Sequence, residues 1–172
     1  MFTVENHSTP LQIRPVSQAD LEAILAVYRQ CEDFLALGPV AEASMEMVLK
    51  DMQISKDEGG IFCSIHLADG KMIGVIDYIS HNYQGDPQAA YLSLLMIASP
   101  YRNQGIGKAV VQAFERQVIQ DAQVSVIYAA MQINNPRAAQ FWQRHGYRIV
   151  SEPRLHPDQT IAVDLRKDIQ LS

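Results

Sequence analysis

Hydrophobic residues alternate with polar ones, or form short apolar runs, along most of the chain, and this pattern predicts β-strands. The run at 91–97 is almost continuously apolar and predicts a strand buried on both faces of a sheet. Asp69 and Gly70 are a strong signal for a hairpin turn between two of the predicted strands. The predicted strands are 13–16, 61–67, 72–79, 91–97, 124–133, 147–150 and 160–165.

Apolar residues at helical spacing predict four helices. The first follows Ser17, the second covers about 41–52, and the third begins near Gly105. The fourth runs from Pro136 to about His145, and its boundaries carry typical capping residues. The order is strand, helix, helix, three strands, helix, strand, helix and two strands. It predicts a mixed α/β fold, with one central sheet and flanking helices, in a single domain over 1–172.

Composition narrows the classes of partner. The 172 residues are 48% hydrophobic and 19% charged, which suits a packed core, and the formal net charge is −5. An acidic chain without a basic block is a poor binder of nucleic acid. The most apolar stretch, 91–98, is too short to cross a membrane, and the first ten residues show no secretory signal.

The cysteines and histidines form no recognisable metal-binding set. Cys31 and Cys63 are far apart and make no Cys-x-x-Cys pair, so we expect reduced thiols, a cytoplasmic setting and no bound metal.

Candidate chemistry is concentrated in the turn between the apolar strand and the third helix. Arg102-Asn103-Gln104-Gly105-Ile106-Gly107-Lys108 would place free backbone N–H groups at the start of a helix, where the dipole favours an anion. Two glycines would let a phosphate approach the backbone closely, and Arg102 and Lys108 would add positive charge.

Three other interpretations of this turn compete with that one. A P-loop of the Walker type fails, since Arg102 stands in place of its first glycine and Ala109 in place of its Ser or Thr. A dinucleotide-binding fingerprint lacks its third glycine, because Val110 occupies that position. A tight turn without any ligand remains an alternative for an isolated Gly-x-Gly.

Two motifs together resemble the GNAT superfamily of acyl-CoA-dependent N-acetyltransferases. The segment 94–107, LLMIASPYRNQGIG, is similar to the central strand and diphosphate loop of that family, with the pattern Arg/Gln-x-x-Gly-x-Gly/Ala. The segment 135–147, NPRAAQFWQRHGY, is similar to the Asn-x-x-Ala-x-x-Phe-Tyr-x-x-x-Gly-Phe helix of the same family. Both motifs occur in the family's order and spacing.

The resemblance implies a direct transfer of an acetyl group from acetyl-CoA to a primary amine, on a small molecule or a peptide. It implies that backbone groups of Leu95, Met96 and Ile97 bind the pantetheine arm, and that Asn135 hydrogen-bonds the same arm, although capping a helix would also explain Asn135. The implied diphosphate ligands are Arg102, Asn103, Gln104, Gly105, Ile106, Gly107 and Lys108. A homodimer is open by analogy only.

The catalytic groups are less determined than the acetyl-CoA site. The family often has a Tyr acid where this chain has Trp142, and an indole N–H is not an acid near neutral pH. Asp33 and Asp77 are the candidate bases, but a solvated surface or helix-end role would explain either one. A catalytically silent acyl-CoA-binding sensor or interaction module is therefore the alternative function. None of the predicted loops carries a sequence signature that identifies the acceptor amine.

Overall fold

A computed structural model describes residues 2–6, 9–122, 124–156 and 159–169. In those residues nine strands form one sheet. Its strands are β1 Phe2–Asn6, β2 Thr9–Pro15, β3 Ile61–Leu67, β4 Met72–Ile79, β5 Ala89–Ile97, β6 Val126–Gln132, β7 Arg148–Ile149, β8 Arg154–Leu155 and β9 Ile161–Asp168. The helices are α1 Leu21–Arg29, α2 Glu32–Leu35, α3 Met45–Asp57, α4 Ile106–Ala122 and α5 Pro136–Arg144.

Helices cover the two faces of the sheet. The strand order is β1-β2-β3-β4-β5-β6-β9-β7, and β8 also pairs with β9. One core cluster joins the sheet to α4 and α5, through residues such as Ile76, Leu92 and Phe114. A second cluster packs α1 and α3 on the opposite face, around Tyr28, Val48 and Val75. The mixed α/β fold with a central sheet is confirmed.

The helix punctuation in the second half of the chain is confirmed. Asn135 caps α5 by accepting a hydrogen bond from the Ala138 N–H at 3.0 Å, and Pro136 is its first residue. Gly146 follows the helix with φ of +83°, the left-handed conformation that glycine adopts most easily. Gly70, with φ of +85°, likewise makes the β3–β4 hairpin turn as predicted.

The second predicted helix was misplaced. It begins at Met45 rather than near 41, because Ser44 is the residue whose side chain caps it by accepting from the Met47 N–H. It continues to Asp57 and therefore includes Ser55, which is buried, while Leu49 is 48% exposed. The prediction also missed β1, α2 and β8, which are short or lie at the edge of the sheet.

The apolar strand β5 is not buried on both faces along its length. Residues 93–95 and Ile97 are only half-buried. Tyr91 is half-buried as well, and from Ser93 onward β5 also lacks its pairing with β6. This departure from the prediction creates the candidate site.

Candidate active site at the opening between two parallel strands

The central feature of the site is a separation of β5 from β6. The two strands pair in parallel only from Ala89 with Val126 to Leu92 with Ala129. Beyond that point β5 continues to Ile97 and β6 to Gln132, but no pairing joins them. An opening therefore lies between the carboxyl ends of two adjacent strands, and it exposes backbone groups in the middle of the sheet.

Specific backbone groups of β5 face this opening. The Ala98 N–H donates to Ile73 of β4 at 2.9 Å, and N–H groups of an antiparallel strand alternate between its two sides. The N–H of Met96 therefore points toward β4, where Met96 is paired with Val75. Leu95 and Ile97 direct their N–H groups into the opening. Of the three sequence-predicted pantetheine ligands, these two have backbone donors without an acceptor among the described residues.

The glycine-containing loop lies at the end of the same opening. Asn103 and Gly105 adopt φ of +61° and +77°, so the chain makes two left-handed turns before α4 begins at Ile106. None of the backbone N–H groups of residues 103–108 has an acceptor among the described residues. They precede or begin a 17-residue helix, so the helix dipole adds to their attraction for an anion.

The Arg102 side chain does not point toward the anion-binding position that these N–H groups would form. Its Nε–H donates to the Ile97 carbonyl oxygen at 2.7 Å, Nη1–H donates to Asp33 Oδ2 at 2.6 Å, and Nη2–H reaches the Gln30 carbonyl at 3.4 Å. The sequence suggested that Arg102 would add charge for a phosphate. In the structure its guanidinium joins the start of the loop to the end of β5 and to the α1–α2 segment, and its contact with a phosphate stays a prediction.

Asp33, one of the two candidate bases, is occupied by this pairing. The hydrogen bond from Arg102 lowers the pKa of the Asp33 carboxyl below its usual value, which weakens it as a proton acceptor. Nearby, Cys31 is fully buried and donates to the Ile97 carbonyl at 3.5 Å. Burial raises the pKa of the Cys31 thiol, so it stays protonated and does not offer a nucleophile.

Asp77, the other candidate base, is buried in a hydroxyl-lined position on β4. Its two carboxylate oxygens accept hydrogen bonds from Ser55 of α3 and Ser93 of β5, each at 2.6 Å. Gly60 passes so close that a Cβ there would lie 2.7 Å from Ser55 Oγ. Ser93 is the first residue of β5 beyond its last pair with β6, and its hydroxyl also lies 3.0 Å from the Asp77 carbonyl oxygen.

Sequence reasoning missed Ser93 and Ser55. The sequence did contain one indication of Ser93, since it is the only Ser within the apolar run 91–97. Ser55 gave none, because its role depends on the register of α3 against β4. In the described part of the chain no group of three His, Cys, Asp or Glu residues could hold a metal ion, and no helix is long and apolar enough to span a membrane.

Asn135 and Trp142 both lie on α5. The Asn135 Oδ1 is used by its cap, and its side-chain N–H₂ group has no acceptor within the described residues. Trp142 is 7% exposed and makes edge contacts with Phe141 and Tyr147, at centroid distances of 5.2 and 4.8 Å. It is primarily a core residue.

Comparisons with known proteins agree with this geometry. A family model described as the acetyltransferase (GNAT) family matches residues 21–147, which include β5, the loop and α5. Among curated proteins, no sequence matches the chain.

Several solved structures share the fold. An acetyltransferase from Thermus thermophilus has a TM-score of 0.77 at 22% identity, over 98% of this chain and 100% of that one. A spermidine N-acetyltransferase from Vibrio cholerae, in complex with CoA and spermine, has a TM-score of 0.69 at 15% identity, over 91% and 94%. The ribosomal-protein-S18-alanine N-acetyltransferase from Escherichia coli has a TM-score of 0.68 at 16% identity, over 94% and 96%.

Proposed function

Since the chain belongs to the acetyltransferase (GNAT) family, we propose that it transfers an acetyl group from acetyl-CoA directly to a primary amine. The observation that carries the proposal is the coincidence of two features. The opening between β5 and β6 exposes unpaired N–H groups, and the loop of free N–H groups lies at the same end of β5. An extended chain with a diphosphate at one end fits both.

The residues present fit acetyl-CoA in chemical type. Free N–H groups of residues 103–108 would hold the diphosphate, as at other helix N-termini. Leu95 and Ile97 would bind the amide-containing arm as a neighbouring strand does, and the Asn135 side-chain amide would hydrogen-bond it from α5. When bound, acetyl-CoA supplies an activated acyl group with a thiol leaving group.

Within the opening, the chain would orient the thioester and stabilise the charge that develops on it. A fixed N–H of Leu95 or Ile97 is a suitable donor to the carbonyl oxygen as it becomes negative. Removing one such donor from an acyl-transfer site typically costs about 10²–10³ in rate. Holding amine and thioester together between two strands adds the advantage of proximity.

Asp77 is the base that this arrangement favours, acting through Ser93. The new C–N bond forms as the C–S bond breaks, and the thiolate departs with the CoA. The proton lost by the amine passes to Ser93 Oγ, while the Ser93 proton passes along its 2.6 Å hydrogen bond to Asp77. Asp33 is a weaker candidate, because Arg102 holds its carboxylate and lowers its pKa.

No residue replaces the usual tyrosine acid in this scheme. Trp142 cannot protonate the thiolate, but a thiol with a pKa of roughly 8.5 is a tolerable leaving group without help. The two buried free thiols, Cys31 and Cys63, support a reducing, cytoplasmic location. The acceptor in this proposal is a small-molecule or peptide amine, and a single domain over 1–172 performs the reaction. A homodimer stays an expectation by analogy.

The experiment that tests the proposal follows CoA release from acetyl-CoA with a panel of primary amines. CoA should appear only when an amine is added, and in equal amount to the acetylated amine. Ser93→Ala should lower kcat/KM by roughly 10²-fold, the range for loss of a proton-transfer group, while Asp33→Asn serves as the matched control that keeps the relay. Binding of acetyl-CoA without release by any amine would favour a silent sensor.

A further inference from the structure

Three tyrosine rings form a wall on one face of the sheet beside the opening. Tyr91 of β5 and Tyr128 of β6 are directly paired, while their neighbours Leu92 and Ala129 belong to the core under α4. The tyrosines therefore lie on the opposite face. Tyr83, from the β4–β5 loop, stacks on Tyr91 with centroids 4.5 Å apart and planes 6° from parallel, and lies 5.7 Å from Tyr128. All three residues are half-buried.

This tyrosine wall shares its face with the proposed base. Asp77 bonds Ser55 of α3, so its side chain is on the α3 side of the sheet, as the wall is. Ser93, which donates to Asp77, is two residues after Tyr91 along β5. The register of β4 against β5 shifts here, because Tyr78 pairs with Leu92 and Asp77 with Leu94, so Ser93 is a bulged residue. Its Cα atom therefore lies no more than about 7 Å from that of Tyr91. If the reacting nitrogen of a ligand lies at Ser93, a second group of that ligand about 7 Å from this nitrogen would lie on the tyrosine rings.

The carboxylates of Asp164 and Glu58 interact electrostatically with the Tyr91 hydroxyl of the wall. Burial raises the pKa of the Tyr91 hydroxyl most, and Tyr83, Asp164 and Glu58 raise it further, whereas the opposing effect of Arg154 is smaller. Arg154 is itself paired with Asp164 at 2.7 Å.

The chain already places a cation on this surface. The Arg166 guanidinium lies over the Tyr128 ring at 5.7 Å and donates to the Tyr128 hydroxyl at 3.3 Å, while Asp168 pairs with it at 2.6 Å. Aromatic faces of this kind attract ammonium and guanidinium groups.

We propose that the tyrosine wall binds the second, protonated nitrogen of a diamine acceptor whose first nitrogen is acetylated at the opening. The inference rests on the proposed function and adds the class of acceptor to it. The span of about 7 Å suits an alkyl diamine such as 1,5-diaminopentane, or a lysine-like side chain of similar length. Direct contact of the second, protonated nitrogen with the tyrosine rings, rather than with an acidic pocket, would select a charged acceptor.

The test compares 1,5-diaminopentane with 5-amino-1-pentanol, which has the same length and lacks the second charge. The wild-type kcat/KM should be at least tenfold higher for the diamine. Tyr91→Leu and Tyr83→Leu should each reduce that preference at least fivefold, mainly through KM for the diamine, while the Kd for acetyl-CoA stays unchanged. Tyr91→Phe and Tyr83→Phe keep the rings and should keep the preference.

The proposal is overturned if the wild type does not prefer the diamine, or if the Leu variants retain the preference. A second readout does not depend on turnover. Ring-proton NMR shifts of Tyr83 and Tyr91, followed during titration with 1,5-diaminopentane, should saturate, and 5-amino-1-pentanol should shift them much less. If these shifts appear although no amine of the panel releases CoA, the acetyltransferase proposal fails and the tyrosine site stands; absent shifts remove the site.

Discussion

Breaking the Arg102–Asp33 ion pair tests whether the pair holds the loop in place, whether Arg102 is a phosphate ligand, or whether Asp33 is the base. We expect the break to weaken acetyl-CoA binding. The guanidinium joins the first residue of the loop to α2 through Asp33, and to β5 through the Ile97 carbonyl. Asp33→Asn removes the charge of one partner and leaves its shape. The loop then samples other conformations, and the apparent Kd rises as the inverse of the fraction of molecules that keep the binding-competent conformation.

The size of the expected change in Kd follows from the solvent exposure of the ion pair. The Asp33 side chain is 54% exposed and that of Arg102 25%, so the ion pair contributes roughly 0.2–1 kcal/mol. Asp33→Asn should therefore raise the Kd for acetyl-CoA by up to about fivefold. Arg102→Met also loses the hydrogen bond to Ile97, which is worth about 1.5–3 kcal/mol for a charged donor, so tenfold or more is expected.

Isothermal titration calorimetry at low and high salt measures both effects, and steady-state kinetics with a saturating amine supplies the control. The Asp33→Asn effect should shrink at high salt, because exposed pairs are screened, and kcat should stay within about twofold. Tighter acetyl-CoA binding by Asp33→Asn would show that Arg102 is a phosphate ligand restrained by Asp33. An unchanged Kd with a kcat/KM that falls by 10² or more would identify Asp33 as the base.

Three further substitutions test separate parts of the structure. Gly107→Val would place a branched side chain beside the free N–H groups and toward the Phe141 ring, which lies 3.4 Å from the Cβ position. Calorimetry should show at least tenfold weaker acetyl-CoA binding in a protein that still folds. Unchanged affinity would remove the loop from the site. Trp142→Phe should cost about 1–3 kcal/mol of unfolding free energy and keep kcat within tenfold, and a loss of several orders of magnitude in a folded variant would contradict the core role. The hydrogen bond from Arg14 lowers the pKa of Asp20 to about 2, so its stabilisation of roughly 2 kcal/mol is present above pH 4 and lost as the pH falls toward 2. Asp20→Asn should therefore destabilise the protein much more at pH 7 than at pH 2 in urea unfolding experiments, and an equal loss at both pH values would refute the linkage.

The parts of the site that were predictable are local in sequence. The loop glycines and the cap at Asn135 act through the backbone of their own or adjacent residues, so their pattern is visible without a fold. The contacts that assign roles to the carboxylates are long-range. Asp33 and Arg102 are 69 residues apart, and Ser93 and Asp77 are 16 apart on neighbouring strands. No periodicity encodes such pairs.

The fold shows the same division. Hydrophobic patterns predicted the central strands and α4 and α5, because each has a strong period and clear end signals. The hydrophobic pattern alone does not predict the opening in the sheet, since an apolar run looks the same whether the neighbouring strand stays paired or leaves. The divergence of β6 after Ala129 decides that residues 93–97 line a site instead of a sealed core.

Amide hydrogen exchange on titration with acetyl-CoA, resolved residue by residue by NMR, tests the central claim most directly. The account predicts slower exchange at the N–H groups of residues 103–108 and at Leu95 and Ile97, whose donors are free in the structure. The Met96 amide, already paired with β4, should change little and is the internal control. Protection of the β2–β3 ladder instead, or of Met96 as strongly as of its two neighbours, would show that acetyl-CoA does not lie between β5 and β6.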